Sequence, residues 1–451
     1  MSRVVFLSTE TFGDRMAGPA IRTWELASAL ARLGHEVTVA STSEIKRSAN
    51  FRTAVYSARS LALLLSCADT FIIQNPELLR YGEVRNPPIP LVVDLYDPFI
   101  LENLEVYKDL DMRSRIGLHR ADLKKLLDLI SIGDYFICAS ERQRFFWLGI
   151  LSALNRICPS TYDDDPSGRS LIGVVPFGIP DDQGLTQQGQ ETCEYIPGLQ
   201  PEDRLLVWPG GIWSWFDPLT LIKAMEILRD DMAVPVKLLF MGVHHPDPNI
   251  TVMSMAHKAR QLSDEKRLTG KYVFFNEQWV PYDKRSIILS RANIVVSTHF
   301  KTMEADLSFR TRLLDAIWAK RPIVSTEGGI LSDWIIEHRL GLVVPPEDPI
   351  TLAHSIKSLL SNDDMLAEIT RNIEAFRASL RWARCVTDLH KFCMHPRFSP
   401  DRMSGKNEID LSRHIDSCRY SSRLTYWYKM KYRFRAEGFR GVLKAIKKRL
   451  R

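Results

Sequence analysis

Short runs of consecutive apolar, β-rich residues alternate along most of this chain with longer stretches whose apolar positions recur every three or four residues. The short runs predict strands buried on both faces, and the longer period predicts the crossover helices between them. "RVVFLST" (3–9) leads into "AIRTWELASALARLGHEVTVAS" (20–41), where Ile21, Trp24, Leu26, Leu30 and Leu33 keep a near-helical spacing. Gly34 can end that helix before "EVTVAS" resumes a strand, which completes one βαβ unit. Further strands are expected at "TFIIQN", "LVVDLY", "DYFICAS" and "LIGVVPFG".

The polar stretch Asp181 to Asp203 breaks the pattern and reads as an interdomain connection. Alternation restarts with "RLLVWPGG" and the helical "DPLTLIKAMEILRD", then "VKLLFMG", "YVFFNE", "NIVVST", "RPIVST" and "GLVVP". The expected fold is α/β. Its parts are a doubly wound, Rossmann-like domain over residues 1–180, a linker over 181–203 and a second such domain over 204–375. A helix over 376–395 would return to the first domain, and an extension over 396–451 carries no assignable pattern before its basic tail.

Composition changes this picture little. With 45% hydrophobic and 25% charged residues the chain has globular proportions. No stretch approaches the roughly 18 apolar residues of a membrane span, and the opening residues are a poor secretory signal. The reading is a soluble, cytoplasmic chain. Seven cysteines without a CxxC pair fit reduced thiols better than disulfides or zinc, and no metal is implied. Charge is more informative. From Lys429 to Arg451 ten Lys and Arg face one Glu, while the whole chain sums to only +6, so the rest is net acidic. This tail, rich in Tyr and Phe, suits an anionic membrane surface (residues 426–451). A solvated charge run is the plainer alternative, and nucleic acid is not expected as a partner.

Two glycine turns, "GDRMAGPAIR" and "WPGGIWSWFDP", stand where a strand end meets a helix start. There, backbone N–H groups can approach a phosphate or a sugar. Neither is a GxGxxG or P-loop pattern. "SFRTRLLDAIWAKRPIVSTEGG" (308–329) carries more. A helix from about Ser308 would bury Phe309, Leu313, Ala316 and Ile317. Arg310 would then lie in its first turn, unfavourable there unless an anion binds, and without an acidic residue at i+4. Arg312 and Asp315 could form an ordinary i,i+3 ion pair. Gly328 and Gly329 end the next strand within reach of the same helix start, which makes a plausible diphosphate cradle. His244, His245 and His299 have no second cluster of ligands and read as loop or core residues.

With these motifs in order, the chain resembles the family 4 glycosyltransferases from about residue 3 to 395. These are retaining enzymes of the GT-B fold, with two Rossmann-like domains facing across a cleft. The resemblance rests on "AGPAIRTWELASALARLGHEVTVAS", "VVPFGIPDD", "PGGIWSWFDPLTLIKAMEIL", "LLDAIWAKRPIVSTEGGILSDWI" and "GLVVPPEDPITLAHSI". It implies a nucleoside-diphosphate sugar on the second domain, held at Gly210, Gly211, Asp315, Gly328 and Gly329. It also implies a glycan or lipid-linked acceptor on the first domain, over Gly18 and Arg22, and no metal cofactor. The family pairs two acidic residues eight apart. Asp315 takes the second place, but Leu307 stands at the first, leaving Glu304 or Asp306, with Glu304 favoured to orient the donor sugar. The family's Arg and Lys after the first glycine pair are replaced near Ile212 and Phe216. Arg310 and Arg312 are then the expected catalytic cations. Where many members place a histidine, "LYDP" offers Tyr96 and Asp97 as donor or acceptor contacts. The implied function is sugar transfer in surface-polysaccharide assembly, at the inner face of the cytoplasmic membrane. A sugar-nucleotide epimerase and an inactive membrane-associated scaffold are the alternatives.

Overall fold

The computed structural model describes residues 1–180, 199–200, 202–243 and 253–403. The chain divides into two compact units. One holds Met1–Gly178 together with the described residues from Trp382 onward, and the other holds the described residues of Ile179–Arg381.

The first unit is built on seven parallel strands: β1 (Arg3–Ser8), β2 (Glu36–Ser41), β3 (Arg52–Val55), β4 (Thr70–Ile73), β5 (Leu91–Asp94), β6 (Tyr135–Cys138) and β7 (Ile172–Val174). Their spatial order is β3-β2-β1-β4-β5-β6-β7. β4, β5 and β6 are buried at every position, as continuous apolar runs require. Sequence patterning does not mark β3. Its four residues lie at the sheet edge, mostly exposed, so no apolar alternation announces it.

The second unit repeats the plan with β8 (Arg204–Trp208), β9 (Val236–Phe240), β10 (Val273–Phe275), β11 (Ile294–Ser297), β12 (Ile323–Thr326) and β13 (Gly341–Val344). Their order is β10-β9-β8-β11-β12-β13, again all parallel. Strand order reverses beside β1 in one sheet and beside β8 in the other, and ligands of doubly wound folds bind at the carboxyl ends of strands at that point. Two such units in one chain are the GT-B architecture.

The N-terminal residues and the described residues after 386 are tied to the first unit. The helix Thr387–Met394 places Asp388 to accept from Val174 N–H at 3.1 Å, and Ser2 Oγ donates to the Cys393 carbonyl at 2.5 Å. His35 Nε2 lies 3.0 Å from His390 Nδ1. Arg156 pairs with Asp401, and Arg402 with Asp134 at 2.6 Å.

One helix boundary differs from expectation. The segment after β11 forms a short helix, Met303–Leu307, whose N-cap Thr302 accepts from Ala305 N–H. The next helix runs Thr311–Trp318, with Arg310 at its N-cap instead of in its first turn. Phe309, Leu313, Ala316 and Ile317 are buried all the same. The linker (181–203, apart from a few residues), His244, His245 and the basic tail lie outside the described residues.

Candidate active site

In the second unit the site begins where β8 ends. Gly210 has φ +82°, and a Cβ there would meet nothing within 4 Å, so its backbone faces open space. Gly211 is walled by indoles. A Cβ on it would lie 3.2 Å from Trp279 and 3.3 Å from Trp213 Nε1. The Gly211 carbonyl accepts from Arg312 Nη2 at 2.9 Å, which joins the loop to the helix Thr311–Trp318. The guanidinium carbon of Arg312 lies over Phe216, 3.5 Å from the ring centroid, and 5.3 Å from that of Trp208. Its Nη1 is shielded from solvent and has no hydrogen-bond partner. Burial and the neighbouring Arg310 both work against its charge. A guanidinium so placed is costly until something negative meets it.

Arg310 is differently situated. Its Nη1 and Nη2 donate to Glu304 at 2.8 and 2.6 Å, and both side chains are almost wholly buried. Ser308 Oγ donates to the same carboxylate at 2.5 Å. Arg310 has no acidic residue at i+4, where Leu314 stands, but the structure gives it one from six residues upstream. Helical spacing looks only three or four residues along one helix, whereas Glu304 reaches Arg310 across the break between two helices. The Glu304 oxygens expected to orient a donor sugar are engaged by Arg310 and Ser308.

The Arg312–Asp315 ion pair is also not formed. Both Asp315 oxygens accept from Arg285 Nη1 at 3.0 Å. Burial raises the Asp315 pKa against the pull of Arg285 and Arg312. Arg285 lies on another helix thirty residues away, and no local spacing marks it.

The second glycine pair packs against its own chain. Gly328 (φ +124°) and Gly329 (φ +75°) both need left-handed backbone. A Cβ on Gly329 would stand 2.7 Å from the Ala305 carbonyl oxygen, so glycine lets the helix Gly329–Glu337 approach the helix Met303–Leu307. The Gly328 N–H is occupied by Ser332 Oγ at 3.0 Å. His299, at the end of β11, is buried with Nδ1 2.9 Å from Thr326 Oγ1, and its Nε2 has no partner. Burial, then Arg310, hold its pKa well below the ordinary value, with the Glu327 backbone pulling the other way.

In the first unit the structure brings Gly18, Arg22 and Tyr96 together around a residue the sequence did not single out. Arg22 is fully buried. Its Nε and Nη2 donate to Asp94 at 2.6 and 3.1 Å, Nη2 donates to the Val175 carbonyl at 2.9 Å, and its guanidinium lies 4.8 Å from the Tyr96 ring centroid. A Cβ on Gly18 would be 3.4 Å from Tyr96 Oη. Arg22 thus neutralises Asp94 inside the unit. Asp97 lines a cavity of about 300 Å³ with Glu10, Gln74, Asn75, Asn103 and Tyr107, a mixture of carboxylates, amides and an aromatic ring.

Among the described residues, no group of three or more His, Cys, Asp or Glu side chains could hold a metal ion. The described cysteines, Cys67, Cys138, Cys158, Cys385 and Cys393, are free. No described helix is long and apolar enough to cross a membrane.

Residues 203–362 match the family described as Glycosyl transferases group 1. Among solved structures the chain is similar to WaaG, a glycosyltransferase involved in lipopolysaccharide biosynthesis, with TM-score 0.60 and 15% identity over 87% of this chain and 100% of that one. It is similar to HepE of Anabaena in complex with UDP-glucose, with TM-score 0.61 and 14% identity over 90% of this chain and 100% of that one. Sucrose-phosphate synthase of Thermosynechococcus elongatus gives TM-score 0.59 and 15% identity over 87% and 98% of the two chains. No curated protein matches the chain by sequence. At these identities the structural likeness speaks to the fold, and the family match covers the unit that carries Arg312.

Proposed function

We propose that this protein is a glycosyltransferase that moves a sugar from a nucleoside-diphosphate donor to a glycan or lipid-linked acceptor, in polysaccharide-type biosynthesis. The observation that carries the reading is Arg312, a shielded cation with an unpartnered Nη1 and no carboxylate of its own, beside the open backbone of Gly210. A diphosphate supplies the missing negative charge. When the bond between the sugar C1 and the diphosphate oxygen breaks, charge grows on the leaving diphosphate. A cation fixed beforehand stabilises that state more than the ground state. The reaction needs no metal in this reading, because Arg312 and backbone N–H groups of the Gly210–Gly211 loop carry the charge. Asp315, held by Arg285, offers carboxylate oxygens to ribose hydroxyls, and Trp279 and Trp213 wall the Gly211 loop. Glu304 and Arg310 act as a pair that shapes the floor of the site.

The amide- and carboxylate-lined cavity near Asp97 suits a polyhydroxylated acceptor, with Gly18, Arg22 and Tyr96 shaping its support. Retention of configuration, and a peripheral place at the inner membrane face through residues 426–451, follow from the family resemblance and from the tail's charge.

Calorimetric titration with UDP, GDP and dTDP, without added metal, tests the reading. Selective binding that Arg312→Leu weakens supports it. Absence of binding to all three turns the reading toward a scaffold, and donor turnover without an acceptor turns it toward an epimerase.

A further inference from the structure

Phe216 packs against two arginines. Its ring centroid is 3.5 Å from the guanidinium carbon of Arg312 and 4.9 Å from that of Arg310. The ring is buried, held by contacts with Trp208 and Trp215 and by a backbone bridge to His299. Arg310 is matched by Glu304, whereas Arg312 has no carboxylate within ion-pair distance. Glu304 and Asp315 are nonetheless close enough to act electrostatically on Arg312. Both carboxylates are already engaged, Glu304 by Arg310 and Ser308 and Asp315 by Arg285, but a long and flexible arginine left to itself would compete for either, because a shielded cation gains most from a carboxylate.

We propose that Phe216 is a positioning residue that keeps Arg312 unpaired and therefore available to a diphosphate. The ring packs against the guanidinium of Arg312 and also against that of Arg310, which Glu304 holds, so Arg312 rests on the ring instead of on that carboxylate. The ring's face also stabilises the guanidinium where it lies, so that the cation waits without a counter-ion. The Gly211 carbonyl fixes one edge of the guanidinium and leaves the Nη1 edge for a ligand. An aromatic residue on the loop after β8 and a cation from a helix a hundred residues later thus form one device. The inference rests on the reading that Arg312 receives the diphosphate, and it adds the reason that Arg312 is free to do so.

The test is calorimetry on the full chain with inorganic pyrophosphate, with whichever of UDP, GDP and dTDP binds, and with the matching nucleoside. Phe216→Leu removes the ring at similar volume. It should weaken nucleotide and pyrophosphate on the order of tenfold and leave the nucleoside unchanged. Phe216→Tyr, which keeps a ring, should recover most of the loss. In the Arg312→Leu background Phe216→Leu should add nothing further, since the device has lost the group it serves. A residue that merely packs the loop would instead weaken the nucleoside equally and add its loss to that of Arg312→Leu. Either result overturns the proposal, as does wild-type pyrophosphate affinity in Phe216→Leu or an absence of pyrophosphate binding in the wild type. Should Phe216→Leu not fold, Phe216→Met carries the same comparison. Pyrophosphate binding that needs Phe216, without affinity for any nucleotide, would uphold this device and remove the nucleotide reading. Nucleotide binding that needs Arg312 but not Phe216 would do the reverse.

Discussion

Arg22 in the first unit and Arg312 in the second make a natural pair. Each reaches from a helix toward the carboxyl ends of a parallel sheet, each lies against an aromatic ring, and each donates to a backbone carbonyl. Arg22 also meets Asp94 with two hydrogen bonds, whereas Arg312 meets no carboxylate. The fully buried Arg22 is neutralised within the fold, whereas Arg312, half-buried with a shielded Nη1, has no carboxylate.

The difference can be broken at its strongest point. Arg22→Met leaves Asp94 buried and uncompensated, and is expected to destabilise the first unit by about 3 to 5 kcal/mol. Arg312→Leu removes a charge that the fold does not need, and its cost should stay below about 1 kcal/mol. Chemical denaturation of both variants gives the answer, and equal losses would erase the distinction. The same Arg312→Leu protein is expected to lose roughly a hundredfold or more in sugar-transfer turnover, as for loss of one preorganised donor. A folded variant with normal turnover would make Arg312 as structural as Arg22.

Asp315→Asn sharpens the comparison further. It leaves Arg285 without its carboxylate and takes charge from the bonds offered to ribose, so nucleotide affinity should fall by about 1 to 2 kcal/mol while pyrophosphate affinity holds. Equal losses for both ligands would place Asp315 on the phosphate side instead.

The smallest effect concerns two buried histidines. Burial, then His390 and the N-terminus, lower the pKa of His35, and burial with Arg310 lowers that of His299. A histidine whose pKa is lower folded than unfolded binds more protons when unfolded. Its contribution is therefore complete above the unfolded value near 6.5 and shrinks as pH falls through it. Thermal midpoints should decline between about pH 7 and 5, and His35→Gln should flatten part of that decline. A midpoint that rises on acidification would contradict both assignments.

Much of this was legible beforehand for a physical reason. All six strands of the second sheet are short apolar runs between helical patterns, and in the interior strands β11 and β12, buried at every position, such a run is what burial on both faces requires. β3 was not legible, since an exposed edge strand has no face to mark. Of the site, the glycine turn after β8 stands out in the sequence at a strand end, and Arg312 entered beside Arg310 as a cation that the family resemblance implies, while spacing alone offered it an ordinary pair with Asp315. The partners could not. Glu304 reaches Arg310 across a helix break, Arg285 reaches Asp315 from thirty residues away, and Phe216 meets Arg312 from nearly a hundred.

The sequence by itself thus determined two doubly wound units and the residues available at their strand ends, because periodicity records which faces are buried. Tertiary structure alone decided how those charges are paired. Ion pairs depend on separations of a few ångströms between elements far apart in the chain, and no local spacing encodes them. The same composition around β11 and β12 could have left Arg310 free and Arg312 neutralised. Instead Glu304 pairs with Arg310, and Arg312 lies over the Phe216 ring without a carboxylate.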